Sequence, residues 1–154
     1  MASQQNEPLR LTPHDDTSST TAEETRPPFS SPRALLQYLY QDVTRFGGIA
    51  SENCALHPAD RTLPPCLGVA ACQQHEEQLV QSTRGTLRMV VEIITVDSRN
   101  EFGCVMGLLE LGGGVVREGF CGVWRFESWA DGNGIRRVRA VEHWENLTTE
   151  GGGG

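Results

Sequence analysis

The order of helical and strand patterns along the 154 residues predicts an α+β domain. Helical periodicity dominates the first half, and four β-branched, apolar runs follow Gly85. The turn signals at 112–114 and 131–134 leave no room for a crossover helix, which favours an antiparallel meander. Glycines inside these runs favour bends. We therefore predict a cone-shaped, curved antiparallel sheet with N-terminal helices packed over its concave face.

Composition divides the chain into three segments. Residues 1–30 are an acidic stretch rich in Ser, Thr and Pro, and their few apolar side chains cannot offset the entropy of ordering. We expect this segment to be disordered and the domain to span 31–148. Residues 149–154 end in four glycines and are expected to be a flexible C-terminus.

Two helices are predicted in the first half of the domain. Ser31 is a good N-cap, Pro32 suits the first helical position, and apolar residues then recur every three or four positions, which predicts a helix over about 33–46. A loop-rich stretch over 49–67 follows, and a second helix is expected over 67–82. The four strands are then expected over 86–97, 102–111, 115–127 and 135–145.

Charge and cysteine usage exclude several functions. The net charge of −7, from 13 basic and 20 acidic residues, disfavours a nucleic-acid partner. The chain has no apolar run long enough to span a membrane and no signal-like start, so we expect a soluble, cytoplasmic protein without a membrane partner. Five cysteines without a CxxC pair favour neither zinc nor redox chemistry, and we predict no cofactor and no metal.

Several segments together resemble a known family. They are CGVWRF at 121–126, VEHWEN at 141–146, the HPADR loop at 57–61 and the His75-Glu76 helix. Over about 32–148 the chain resembles the SnoaL-like, polyketide cyclase-like family of the nuclear transport factor 2-like superfamily. The resemblance implies a conical pocket, a homodimer formed through the open sheet face and a role in secondary metabolism. Because the superfamily holds isomerases, cyclases, dehydratases and non-catalytic binding proteins, it does not name a reaction.

His75 is the leading catalytic candidate. At helical spacing it shares the apolar face of the second helix with Cys72 and Leu79, and a histidine turned inward at a pocket wall exchanges protons near neutral pH. The alternative is a core histidine bonded to a backbone carbonyl. Glu76 is a candidate for the pocket wall.

The loop at 57–61 adds further candidates. Pro58 restrains His57 to an extended conformation, and Asp60 could orient an imidazole or act as a base. The alternative for Asp60 and Arg61 is a network that only orders the loop.

Strand alternation divides the candidates of the last two strands. Glu142 and Trp144 share one face with Ala140, and His143 and Glu145 share the other with Val141, so Glu142 and His143 cannot both line the pocket. Either face could be the inner one. Arg125 stabilises an oxyanion or forms an ion pair with a carboxylate such as Glu142. Aromatic pocket walls are expected from Trp124, Trp144 and Phe126.

We therefore expect a cofactor-independent enzyme acting on a small apolar organic ligand. The chemistry would be proton transfer on a carbonyl or hydroxyl compound, as in isomerisation, aldol-type cyclisation or dehydration. The base would be His75, oriented by Asp60 or His57. The second acid or base would be His143 or Glu142. The alternative is a non-catalytic ligand-binding or dimerisation module of the same fold.

Overall fold

The structure, a computed structural model, describes residues 28–148. Most of the predicted tail, residues 1–27, and the predicted C-terminus, residues 149–154, lie outside the described residues. Phe29 falls within the predicted disordered segment, yet its side chain is 1% exposed and its carbonyl oxygen accepts a hydrogen bond from Val138 (2.8 Å). Its ring packs against Tyr38 at 5.1 Å between centroids. The packed domain therefore includes Phe29 and begins before the predicted boundary. The buried ring and the hydrogen bond to Val138 hold this residue against the rest of the domain.

The first predicted helix is divided into two. Helix α1 spans Pro32–Leu39, with Ser31 as its N-cap. A 3-10 helix follows over Val43–Gly48. The single helix expected over 33–46 is wrong, because Asp42 adopts an extended backbone and its carboxylate accepts from the backbone N–H of Thr44 (3.0 Å), which starts a new turn.

Two strands lie in the stretch expected to be a loop. Strand β1 spans Ala50–His57 and pairs in parallel with the last strand, and the short β2 spans Cys66–Leu67. Helix α2 follows over Val69–Ser82, close to the prediction. Strand β1 could not be predicted from its local sequence. Only Cys54 and Leu56 show the alternation of buried residues that is typical of a strand, and its polar residues resemble those of a loop.

The four predicted strands form the body of one sheet. They are β3 over Arg88–Val96, β4 over Phe102–Leu111, β5 over Val116–Ala130 and β6 over Arg136–Thr148. Each pairs with the next in antiparallel fashion, and the sheet order is β2-β1-β6-β5-β4-β3. The α+β prediction with an antiparallel meander is confirmed, with the parallel β1–β6 pair as the exception.

A bulge in β6 determines which side chains face the helices. Arg125 pairs with Glu142, but the next residue of β5, Phe126, pairs with Ala140, so Val141 is an extra residue in β6. The alternation is therefore reset at Val141. Ala140 is buried on the same inner face as His143, and the expectation that Ala140 shares a face with Glu142 is wrong.

The helices cover the inner face of the curved sheet. The buried leucines of α1 and the ring of Phe46 pack on this face, where Trp124 is also fully buried. Within the described residues, no helix is long and apolar enough to cross a membrane.

Candidate functional site

A pocket of about 310 Å³ opens between the inner face of the sheet and the helices. Its volume falls at the lower end of the roughly 300–1,000 Å³ usual for small-molecule sites. Most of its wall is apolar, and its polar groups come from α2, β6, the end of α1 and the loop after β1. The lining residues used below are Tyr40, Phe46, Asp60, His75, Glu76, Phe120, Gly122, Trp124, His143 and Glu145.

His75 lies on the pocket wall, where its ring contacts Glu145 of β6. The imidazole Nε2 is 3.1 Å from Glu145 Oε1, and about a quarter of the His75 side chain is exposed. The hydrogen bond to Glu145 raises the pKa of His75, and partial burial opposes that rise. The expected orienting partner, Asp60 or His57, is therefore corrected to Glu145, since strand alternation after the bulge brings that carboxylate to α2.

Glu76 adds a second carboxyl group to this contact. Its side chain is 4% exposed and lies beside the Glu145 carboxylate, with one oxygen of each within 4.8 Å of the other. Burial and the neighbouring carboxylate raise the pKa of Glu76 well above its ordinary value. Burial would also raise the pKa of Glu145, but hydrogen bonds from His75 and Glu76 outweigh it and lower that pKa to about 2. Of the two carboxyl groups, Glu76 therefore holds a proton more tightly and Glu145 more weakly.

These three side chains form one compact cluster. One ligating atom from each of His75, Glu76 and Glu145 lies within 4.8 Å of the others, a spacing that would also admit a cation. The predicted metal-free site is not tested by this geometry. Among the described residues, the other predicted site residues with ligating side chains, His57, Asp60 and His143, do not join this cluster.

His143 lines the same pocket in a different state. Its Nδ1 donates to the carbonyl oxygen of Val123 (3.1 Å), and its ring stacks on Trp124 with centroids 3.6 Å apart. Burial lowers the pKa of His143 to about 4, so the ring is neutral at pH 7. The alternative for His75 was a core histidine bonded to a backbone carbonyl. The structure shows this arrangement at His143 instead.

Tyr40 completes the polar part of the pocket. Its hydroxyl oxygen accepts a hydrogen bond from Trp124 Nε1 (3.1 Å), and burial raises its pKa, so the phenol remains protonated. The hydroxyl lies directly over Gly122, where a Cβ atom would approach it to 2.6 Å. Gly122 is therefore the position that admits Tyr40 to the pocket floor.

Asp60 stands at the pocket wall but is bonded within its own loop. Its Oδ1 accepts from the backbone N–H of Thr62 (3.0 Å) and from the Thr62 hydroxyl (2.6 Å), and this contact lowers its pKa. Arg61 holds the loop to β6 through the carbonyl oxygen of Glu145 (2.8 Å) and the side chain of Asn146 (2.9 Å).

Five of the predicted site residues do not line the pocket, and four of them lie on the outer face of the sheet. On the outer face, Glu142 contacts His57 Nε2 (2.7 Å) and Arg125 (3.1 Å), and Trp144 stacks on His57 at 5.2 Å. They lie there because the residue next to the inward-facing His143 must point outward. Arg125 thus forms the ion pair considered as its alternative role.

Phe126 is buried on the inner face but away from the pocket. Its ring packs beneath α1, where a Cβ on Gly103 would contact both Phe126 and Leu36. It therefore supports the core, and it does not contribute to the pocket wall.

Two polar groups of the pocket were not predicted from the sequence as site residues. Glu145 lies two residues beyond His143 and therefore on the same face, a signal that was available once His143 was assigned inward. Tyr40 carried no such signal, because the break after α1 decides where its hydroxyl points.

The architecture matches solved structures of the nuclear transport factor 2-like class. Nuclear transport factor 2 from Cryptosporidium parvum aligns with a TM-score of 0.57 and 16% identity, covering 80% of this chain and 98% of that one. Yeast Ubp3-associated protein Bre5 aligns with a TM-score of 0.58 and 11% identity over 77% and 94%. A putative polyketide cyclase from Sinorhizobium meliloti aligns with a TM-score of 0.53 and 9% identity over 73% and 93%.

These similarities define the class of protein by its fold. The chain has the nuclear transport factor 2-like fold, and the predicted resemblance to that superfamily is confirmed at this level. No protein-family model matches the sequence, and no curated protein matches it. Identities this low show the fold alone, so function must be argued from the pocket.

Proposed function

We propose that the protein is an enzyme that transfers protons on a small apolar carbonyl or hydroxyl compound bound in the inner pocket. The observation that carries this proposal is the His75–Glu145 contact at the wall of an apolar cavity. Glu145 accepts from Nε2–H of the neutral ring, which leaves the lone pair on Nδ1. No described residue is hydrogen-bonded to that nitrogen, so it is available to a substrate.

The arrangement supplies a base and an oxyanion donor. His75 removes a proton from the carbon next to a carbonyl, and Glu145 stabilises the resulting imidazolium. The Tyr40 hydroxyl already accepts from Trp124, so its own proton can be donated to the developing enolate oxygen. Isomerisation, aldol-type cyclisation and dehydration all contain this proton-abstraction step.

The proposal is tested by hydrogen–deuterium exchange on 2-tetralone, a bicyclic ketone with acidic hydrogens next to its carbonyl. Exchange in D₂O is followed by NMR with the full chain. We expect exchange above the buffer rate, lost by at least about 100-fold in His75→Gln, since a positioned base contributes about 10²–10⁴-fold. His57→Gln is the matched control, because His57 also pairs with a glutamate but lies on the outer face. Equal exchange in wild type and His75→Gln would refute the proposal.

The pH dependence provides a second test. His75 acts in its neutral form, and Glu145 raises its pKa, so the exchange rate should rise with pH with a midpoint above 6.5. In Glu145→Gln the hydrogen bond to the carboxylate that raises the pKa of His75 is lost, while the burial that lowers this pKa remains. The midpoint should therefore move to lower pH, and the plateau rate should fall. An unchanged midpoint in Glu145→Gln would show that the pair does not control the base.

The non-catalytic alternative makes a different prediction. A binding module of this fold would bind 2-tetralone without accelerating its exchange. The similarity to Bre5 and nuclear transport factor 2, whose names denote association and transport, supports keeping this alternative.

We also propose that a second copy of the chain covers the outer face of the sheet. Phe102 and Met106 are 45% and 44% exposed there, on one face of β4 with only Cys104 between them, and such an exposed apolar pair is typical of an interaction surface. Light scattering should give the mass of a dimer, and Met106→Glu should shift it to the monomer. A wild-type monomer at micromolar concentration would refute this.

A further inference from the structure

Glu76 carries an oxygen that the proposed chemistry leaves unused. Its Oε2 is the one buried side-chain nitrogen or oxygen without a hydrogen-bond partner among residues 28–148. Leaving such an atom unpaired destabilises the fold, because its desolvation is not compensated. Because Glu76 lines the pocket, a donor carried by a ligand can reach this carboxyl group.

The charges around the pocket favour a cation. Its wall contains three carboxyl groups, from Asp60, Glu76 and Glu145, against one imidazole with a raised pKa, His75, which is already paired with Glu145. Arg61 is bonded to the carbonyl oxygen of Glu145 and to the Asn146 side chain. An anionic ligand would thus meet carboxylates without an unpaired positive charge in the described wall.

Aromatic rings in the pocket wall also favour a cation. The rings of Tyr40, Phe46, Phe120 and Trp124 line the same cavity, and aromatic faces attract cations. A metal ion would occupy the cluster but leave most of the pocket, about 310 Å³ in all, unfilled. An organic cation can place its charge at the carboxyl cluster and its apolar part in the rest of the pocket.

We propose that the pocket binds a small apolar amine as its ammonium ion, held by hydrogen bonds to Glu76 and Glu145. This inference rests on the proposed function in taking the inner pocket as the substrate site, and it adds a protonated amino group to the carbonyl or hydroxyl compound proposed as substrate. When the ammonium ion binds, Glu76 releases its proton to solvent. The added positive charge is then balanced by the new carboxylate, and no other bond is formed or broken.

The test compares three ligands that share the tetralin frame: 2-aminotetralin, 2-tetralol and tetralin-2-carboxylate. Isothermal titration calorimetry on the full chain at pH 7 should give at least tenfold tighter binding for the amine than for the alcohol, and no binding for the carboxylate. Repeating the amine titration in buffers of different ionisation enthalpy should show close to one proton released. Equal affinities for amine and alcohol, or tightest binding of the carboxylate, would overturn the inference.

Two variants locate the effect. Glu76→Gln keeps the shape of the side chain but has no proton to release, so proton release should disappear and the amine preference should fall to within about threefold. Glu142→Gln is the matched control on the outer face and should leave both readouts unchanged. A retained preference in Glu76→Gln would refute the assignment, and the proton count in wild type tests it independently if that variant does not fold.

The two proposals fail separately. Amine binding with proton release but no exchange of 2-tetralone would refute the enzymatic function and leave the ligand class standing. Exchange of 2-tetralone without an amine preference would refute the ligand class and leave the enzymatic function standing.

Discussion

The neutral state of His143 predicts a specific loss of stability in acid. In the folded chain burial lowers the pKa of this imidazole to about 4, against 6.5 for an exposed histidine. The unfolded chain therefore takes up a proton below about pH 6.5, and the folded chain does so only below about pH 4. Stability from this residue is complete above pH 6.5 and is lost as the pH falls towards 4.

The size of the effect follows from the two pKa values. A fall from 6.5 to about 4, at about 1.4 kcal/mol per pKa unit, makes the full loss about 3 kcal/mol. For a domain of this size that is a large fraction of the roughly 5–15 kcal/mol by which folded proteins are stable.

His143→Phe isolates this contribution. The phenyl ring keeps the stacking on Trp124 but cannot titrate, and the lost hydrogen bond to Val123 is independent of pH. Glu76 acts in the opposite sense over the same range, because its raised pKa favours the folded chain at low pH and this advantage is lost above about pH 4.5. The variant retains Glu76, so the difference between the two proteins cancels that effect.

Urea unfolding between pH 7.5 and 4.5 provides the assay. The stability difference between wild type and His143→Phe should shift by roughly 2–3 kcal/mol in favour of the variant as the pH falls. NMR titration of the His143 ring should give a midpoint well below 6.5. A difference that stays flat with pH, or a ring that titrates at 6.5 or above, would refute the burial argument.

Three further predictions concern the pocket floor and its loop. Gly122→Ala places a methyl group 2.6 Å from the Tyr40 hydroxyl and should destabilise the fold by about 1–3 kcal/mol and slow 2-tetralone exchange, as urea unfolding and NMR would show. Trp124→Phe removes the donor to Tyr40 and should cost about 1 kcal/mol or more in urea unfolding, a change that an unaltered midpoint would contradict. Arg61→Ala frees the loop from the carbonyl oxygen of Glu145, so backbone amides at 59–63 should exchange faster by mass spectrometry while those of β5 do not.

Local patterns were sufficient for most elements. The β-branched runs after Gly85 and the turn glycines between them predicted β3 to β6 within a few residues, because strand alternation and turn chemistry are properties of neighbouring residues. Strand β1 escaped, since its pairing partner lies in β6, far along the chain. The break of the first helix escaped because Asp42 begins a new turn inside an otherwise continuous apolar repeat.

The candidate site was predictable only in part. The inward face of α2 identified His75 and Glu76, and alternation in β6 grouped His143 with Glu145 and separated both from Glu142. Alternation did not decide which of these two faces of β6 points inward, because both faces carry apolar residues. The curvature of the sheet and the bulge at Val141 decide it, and neither follows from periodicity.

The sequence by itself therefore determined the fold class, the order of the main elements and, away from the bulge at Val141, the side chains that share a face. The tertiary structure decided the inner face of β6 and the meeting of His75 with Glu145, which are 70 residues apart. It also placed His57, Arg125 and Glu142 together on the outside. The physical reason is that periodicity fixes directions within one element, whereas contacts between elements depend on how the whole sheet bends and packs.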